Sequence, residues 1–143
     1  MAEAKVLLVD DEEDFTEVLS ERMETRGFEV HVSSNGYDAL KMAQENFYDA
    51  VILDVMMPGM DGIETLKHLL AGNPDLQVIL LTGVATLQKG LEALKSGAME
   101  FLEKPADINK LMDLIIKART TRERLTDERI DATMNKILKK RAW

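Results

Sequence analysis

Residues 50–62 read Ala50-Val51-Ile52-Leu53-Asp54-Val55-Met56-Met57-Pro58-Gly59-Met60-Asp61-Gly62. Four apolar residues run without interruption into an acid, and a Pro-Gly turn follows. Beyond Asp61-Gly62 the spacing turns helical over about 63–70 and stops before Asn73-Pro74. A strand that is apolar at every position suits burial on both faces of a parallel sheet. An acid at the C-terminal end of such a strand stands where ligand sites of open parallel sheets lie.

The same unit recurs on either side. Short runs rich in Val, Ile and Leu fall at 5–9, 28–32, 77–81 and 99–102, besides 50–53. The first and fourth runs in chain order are as apolar as 50–53, whereas 28–32 alternates, as an edge strand would. Helical spacing fills the gaps. The first helix is expected at 13–26, with Phe15, Val18, Leu19 and Met23 on one stripe and Gly27 closing it. The second covers 37–46 after Asn35 as N-cap. The fourth covers 86–95, where Gly90 weakens it by up to about 1 kcal/mol. The fifth opens near Asp107 and buries Ile108, Leu111, Leu114 and Ile115. Five strand-then-helix units predict a doubly wound α/β fold with right-handed crossovers and helices on both faces.

Composition narrows the function classes. The chain has 143 residues, 45% hydrophobic and 31% charged, as a globular protein of one domain has. It contains no cysteine, which excludes disulfides, thiolate metal sites and cysteine nucleophiles. Its apolar runs are far shorter than the roughly twenty residues of a membrane span. The first residues show no secretory pattern, and a cytoplasmic location is expected. Residues 1–116 carry 22 acids and nine bases, and residues 117–143 carry four acids and nine bases. The acidic body should repel nucleic acid; only the tail could attract it. Residues 1–118 are therefore read as the domain and 119–143 as a basic helical extension.

Polar groups follow the strands directly: Asp10-Asp11 after the first, Asp54 after the third, Thr82 after the fourth and Glu103-Lys104-Pro105 after the fifth. A parallel sheet brings them to one edge. Three converging carboxylates raise one another's pKa unless a cation joins them, and Mg²⁺ is the economical one. One carboxylate could then attack phosphorus, with Lys104 and the Thr82 hydroxyl on the transferring oxygens. Taken singly, each residue has a plainer reading: an acidic helix cap, a loop acid, a capping threonine, a solvated lysine. His31 and His68 lack ligand partners, the nine methionines read as loop and core filler, and no glycine-rich phosphate loop occurs.

The segments Val9-Asp10-Asp11-Glu12, Leu53 to Gly62, Leu81-Thr82-Gly83 and Phe101-Leu102-Glu103-Lys104-Pro105 together resemble the response regulator receiver domain of two-component systems, over about residues 4–118. The resemblance implies a flavodoxin-like sheet of order 2-1-3-4-5. It implies that Asp54 accepts a phosphoryl group, and that Asp11 directly, Asp10 through water and the Met56 carbonyl hold Mg²⁺ with Asp54. Thr82 and Lys104 would contact the phosphoryl group, Phe101 would be the aromatic switch residue, and Lys104-Pro105 would be cis. Two departures stand out. Ala106 follows Lys-Pro where an aromatic residue is usual, and Phe101 replaces a common tyrosine, so coupling from Thr82 to Phe101 would rest on packing.

The function expected is a stand-alone, phosphorylation-controlled switch served by a histidine kinase or phosphotransfer protein. Its only chemistry would be its own Mg²⁺-dependent phosphorylation and dephosphorylation, with the fourth and fifth helices as output face. A pseudo-receiver binding partners without phosphorylation is the alternative. An aspartyl-phosphate phosphatase is disfavoured, because such enzymes carry a second acid two places after the nucleophile, where Met56 stands here. The resemblance also implies that the positions two beyond Asp54 and Thr82 flank the route of attacking water; here they are Met56 and Val84, both apolar, so dephosphorylation should be slow. In the tail, Thr126 resembles an N-cap for a sixth helix at about 127–141, separate from the fifth or continuous with it. Its apolar stripe could pack on its own body or on a symmetric copy, or dock a downstream protein; a membrane is not expected and nucleic acid is the least expected.

Overall fold

The computed structural model describes residues 3–83 and 87–141. Val84, named above, and the first residue of the helix expected at 86–95 lie outside the described residues. Strands β1 (Lys5–Val9), β2 (Glu29–Ser33), β3 (Ala50–Asp54), β4 (Val78–Thr82) and β5 (Glu100–Glu103) alternate with helices α1 (Glu13–Thr25), α2 (Gly36–Glu45), α3 (Gly62–Gly72), α4 (Leu87–Lys95) and α5 (Ile108–Arg141). The five strands are parallel in the order β2-β1-β3-β4-β5. This is the doubly wound, flavodoxin-like sheet expected.

Alternation along each strand feeds two cores, one per face. Leu7, Val9, Val51, Leu53, Val78 and Leu80 join residues of α2, α3 and α4. Val6, Leu8, Ile52, Ile79, Leu81 and Leu102 join Leu19 and Met23 of α1 and Leu111, Met112, Ile115 and Ala118 of α5. All five residues of β3 and of β4 are buried, whereas β2, at the edge, buries only Ser33. That difference is what the continuous and alternating sequence patterns reported.

β2 begins one residue later than expected. Gly27 takes a positive φ of 92° and the Phe28 N–H donates back to the Met23 carbonyl, closing α1. Phe28 is buried, but its amide belongs to the helix cap. Asn35 caps α2 as expected, accepting from the Asp38 N–H at 2.9 Å.

In the tail the continuous alternative holds: α5 runs unbroken for 34 residues, and the correction is to Thr126, which lies inside it rather than at an N-cap. The Thr126 side chain stands beside Asp75, whose pKa is lowered chiefly by Arg129 and to a lesser degree by Thr126. Residues 119–129 dock under the N-terminal edge of the sheet. Arg119 donates to the Glu3 carbonyl, Arg122 meets Asp49 at 2.6 Å just before β3, and Arg129 meets Asp75 at 2.6 Å just before β4. Arg122 also stacks on Phe47, 4.3 Å from the ring centre. Among the described residues, no helix is long and apolar enough to cross a membrane.

Candidate functional site

The opposite, C-terminal edge gathers the polar residues. Asp10 leaves β1 almost fully buried; one oxygen accepts the Glu12 N–H at 3.0 Å and the other accepts Lys104 Nζ at 2.7 Å. Asp54 ends β3, also buried, with Oδ1 accepting the Met56 N–H at 3.3 Å and Oδ2 3.7 Å from Lys104 Nζ. One ammonium therefore bridges the acids of two neighbouring strands. Lys104 is brought there by β5, where its N–H donates to the Thr82 carbonyl at 2.8 Å, and by a cis Lys104-Pro105 peptide. The loop after β3 is drawn close by Gly62: a Cβ on it would stand 2.5 Å from the Asp54 carbonyl oxygen. Only glycine lets α3 start there.

Asp10, Glu12 and Asp54 can bring carboxylate oxygens within 4.8 Å of one another. Asp11 is exposed and outside that trio, although its charge still reaches Asp54. The expected metal set and the observed cluster thus share Asp10 and Asp54 and differ in Asp11 and Glu12. Met56 is exposed. Thr82 is fully buried, and its hydroxyl donates a long bond, 3.4 Å, to the Leu102 carbonyl. Phe101 is half-buried against Gly90 of α4.

The electrostatics follow from this geometry. Burial first, and the Asp10 charge second, push Asp54 from 3.8 up to about 6, against the pull of Lys104 and the Met56 N–H. Burial opposes the charge on Lys104, but its bond to Asp10 and the Asp54 carboxylate outweigh that, and its pKa is raised. Asp54 is therefore mostly ionised at neutral pH, and its charge is only partly compensated. Hard oxygen donors with an unmet need for positive charge fit a small divalent cation such as Mg²⁺.

Two participants were not read from the sequence. Glu12 lies 3.3 Å from Lys104, and the Phe15 ring centre lies 4.4 Å from the same ammonium. Glu12 follows the two aspartates directly, yet nothing in the spacing says that its exposed side chain reaches Lys104. Phe15 was assigned to the core stripe of α1; its contact with Lys104, 89 residues away, has no local signal.

Comparison with known proteins identifies the family of the fold. A family model described as the response regulator receiver domain matches residues 6–116. The transcriptional regulatory protein ZraR of Klebsiella oxytoca is 35% identical over 128 residues, which are 90% of this chain and 29% of that protein. A receiver domain from Clostridium thermocellum superposes with a TM-score of 0.82 at 33% identity, covering 85% of this chain and 98% of the other. NtrX from Brucella abortus superposes with a TM-score of 0.80 at 28% identity, over 92% of this chain and 30% of that one. The chain thus spans under a third of the length of such regulators as ZraR. ZraR is a transcriptional regulatory protein, which partly conflicts with nucleic acid being the least expected partner, so far as that longer protein is concerned. The match over most of the chain, with the bridged acids at the strand ends, places this protein in the response regulator receiver family.

Proposed function

We propose that this protein is a phosphorylation-controlled switch in which Asp54 accepts a phosphoryl group from a histidine kinase or phosphotransfer protein in the cytoplasm. The observation that carries the reading is the single ammonium of Lys104 bridging buried Asp10 and Asp54. The ionised Asp54 oxygen attacks phosphorus; the donor's P–N bond breaks as the P–O bond forms, and the electron pair leaves with the imidazole. Lys104 stands within reach of both the acceptor and the incoming oxygens, and neutralises part of their charge. Mg²⁺ held by Asp10, Asp54 and Asp11 or Glu12, with the Met56 carbonyl, would neutralise the rest.

The response runs through Thr82. Its bond to the Leu102 carbonyl is long enough to exchange cheaply for one to a phosphoryl oxygen. Leu102 is the neighbour of Phe101, so the exchange alters the packing of Phe101 against α4. Standing alone, the domain would signal through the α4 and α5 face and the tail, to a downstream protein or a second copy. Its chemistry would be limited to its own phosphorylation and dephosphorylation.

The test is intact-mass spectrometry after incubation with a small acyl phosphate, with and without Mg²⁺. One phosphoryl adduct, dependent on Mg²⁺ and lost in Asp54→Ala, is the expected result. A folded protein that binds Mg²⁺ and takes no adduct would instead be a pseudo-receiver.

A further inference from the structure

Beyond its docked part, α5 carries a face that its own chain leaves uncovered. Ile130, Met134, Ile137 and Leu138 are each 42–58% exposed. At about 100° per residue they share one stripe, turned by roughly 100° from the side that Ile115, Ala118, Arg122 and Arg129 present to the body. Rotation alone therefore keeps the stripe off the domain. Four large apolar side chains on a last free stretch of helix need a surface.

Charge along the same stretch says which surface. Asp127, Glu128 and Asp131 gather at the start of the stripe, and Lys136, Lys139, Lys140 and Arg141 toward its end. Met134 is the centre of a mirror pattern. Ile130 and Leu138 stand four residues to either side, Glu128 and Lys140 six, Asp127 and Arg141 seven; the like-charged pair at five, Arg129 and Lys139, has its arginine held by Asp75. Two copies laid antiparallel and crossing at Met134 therefore set apolar against apolar in the middle and acid against base at both ends. Parallel copies would set acid on acid and base on base. A patch complementary to itself under a two-fold rotation is the requirement of an isologous dimer.

We propose that the 127–141 segment forms an antiparallel helix pair with a second copy of the chain, crossing at Met134. The two bodies then lie at opposite ends of the pair. Each docks the helix by its N-terminal edge, through Glu3, Asp49 and Asp75, so the Asp54 edge of both stays open. The contact is small, which makes the dimer weak and dependent on concentration. The proposal narrows the choice between a downstream protein and self-association made above; the Asp54 chemistry is measured separately, so either can fail without the other.

Sedimentation equilibrium of the full chain over a concentration series tests it. Wild type is expected to approach twice the monomer mass, and Met134→Asp, on an exposed position, to stay monomeric while still taking the phosphoryl adduct. Asp127→Lys with Glu128→Lys should weaken the dimer at least tenfold, and adding Lys140→Glu and Arg141→Glu should restore it. In a parallel pair the first substitutions would change little. The chain has no cysteine, so mixing Ile130→Cys with Leu138→Cys reports orientation directly: 130-to-138 disulfides are expected. Monomer at every concentration, self-association untouched by Met134→Asp, or 130-to-130 and 138-to-138 disulfides in the mixture would each overturn the proposal, as would a tail that binds anionic vesicles and never a second copy.

Discussion

Replacing Asp54 by Asn should make the metal-free protein more stable. Burial and the Asp10 charge hold the Asp54 carboxyl at about 6 in the fold against an ordinary 3.8. At about 1.4 kcal/mol per pKa unit, ionising it costs the native state about 3 kcal/mol. Between those two values the fold retains a proton that the unfolded chain has already lost. Stability therefore falls as pH rises from about 4 to about 6 and levels off above. Asn keeps the shape and removes the charge, while Lys104 keeps Asp10 and Glu12 as partners. The variant should gain about 2–3 kcal/mol at pH 7.5 but only about 1 kcal/mol at pH 4.5, where much of the wild-type group is protonated. Urea unfolding followed by circular dichroism, in chelator, measures both. Excess Mg²⁺ should narrow the difference by stabilising wild type. An Asn variant no more stable at pH 7.5, or one that gains equally at both pH values, would refute the electrostatic account.

Three further outcomes follow from other contacts. Arg122→Ala removes the charge partner of the largely buried Asp49 carboxylate, leaving it the Lys5 N–H, and should cost about 3 kcal/mol in urea unfolding, whereas Arg129→Ala, at a more exposed pair, should cost less. Gly90→Ala puts a Cβ 2.9 Å from the Phe101 ring; the loss should be relieved by Phe101→Leu, with a coupling of about 1 kcal/mol in a double-mutant cycle, and additive losses would contradict the packing described. Met56→Asn places a polar group beside Asp54 and should shorten the lifetime of the phosphorylated protein in a mass-resolved decay, most strongly when combined with Val84→Glu; an unchanged lifetime would remove apolar exclusion of water as the cause of slow decay.

The sheet was legible because β1, β3 and β4 are covered on both faces and so spell themselves as unbroken apolar runs. The site was legible for a related reason: a parallel sheet carries every strand's last residue to one edge, so acids after two strands and a lysine after a third converge without knowledge of any contact. Where the outcome turned on tertiary contact, the pattern misled or was silent. Thr126-Asp127-Glu128 has the look of a helix start, but Arg129 just beyond it pairs with Asp75, 54 residues away, and the helix runs on. Asp11 and Glu12 have equal claims as sequence and both are exposed; the turn after β1 brings Glu12 within 3.3 Å of Lys104.

Asp49 and Asp54 bracket β3, and the two ends of that strand do opposite things. Asp49 is paired with Arg122 and stabilises the docked helix; Asp54 is under-compensated and stores cost beside the chemistry. Five residues of strand separate them by about 16 Å, with no shared partner among the described residues. Sites that far apart add within about 0.5 kcal/mol unless the structure between them shifts as a unit. Asp54→Asn combined with Arg122→Ala should therefore unfold with the sum of the two single effects, nearly cancelling at pH 7.5. A clear departure from the sum would mean that β3 transmits the state of the acceptor edge to the helix docked at the other, and the two ends could no longer be treated as independent.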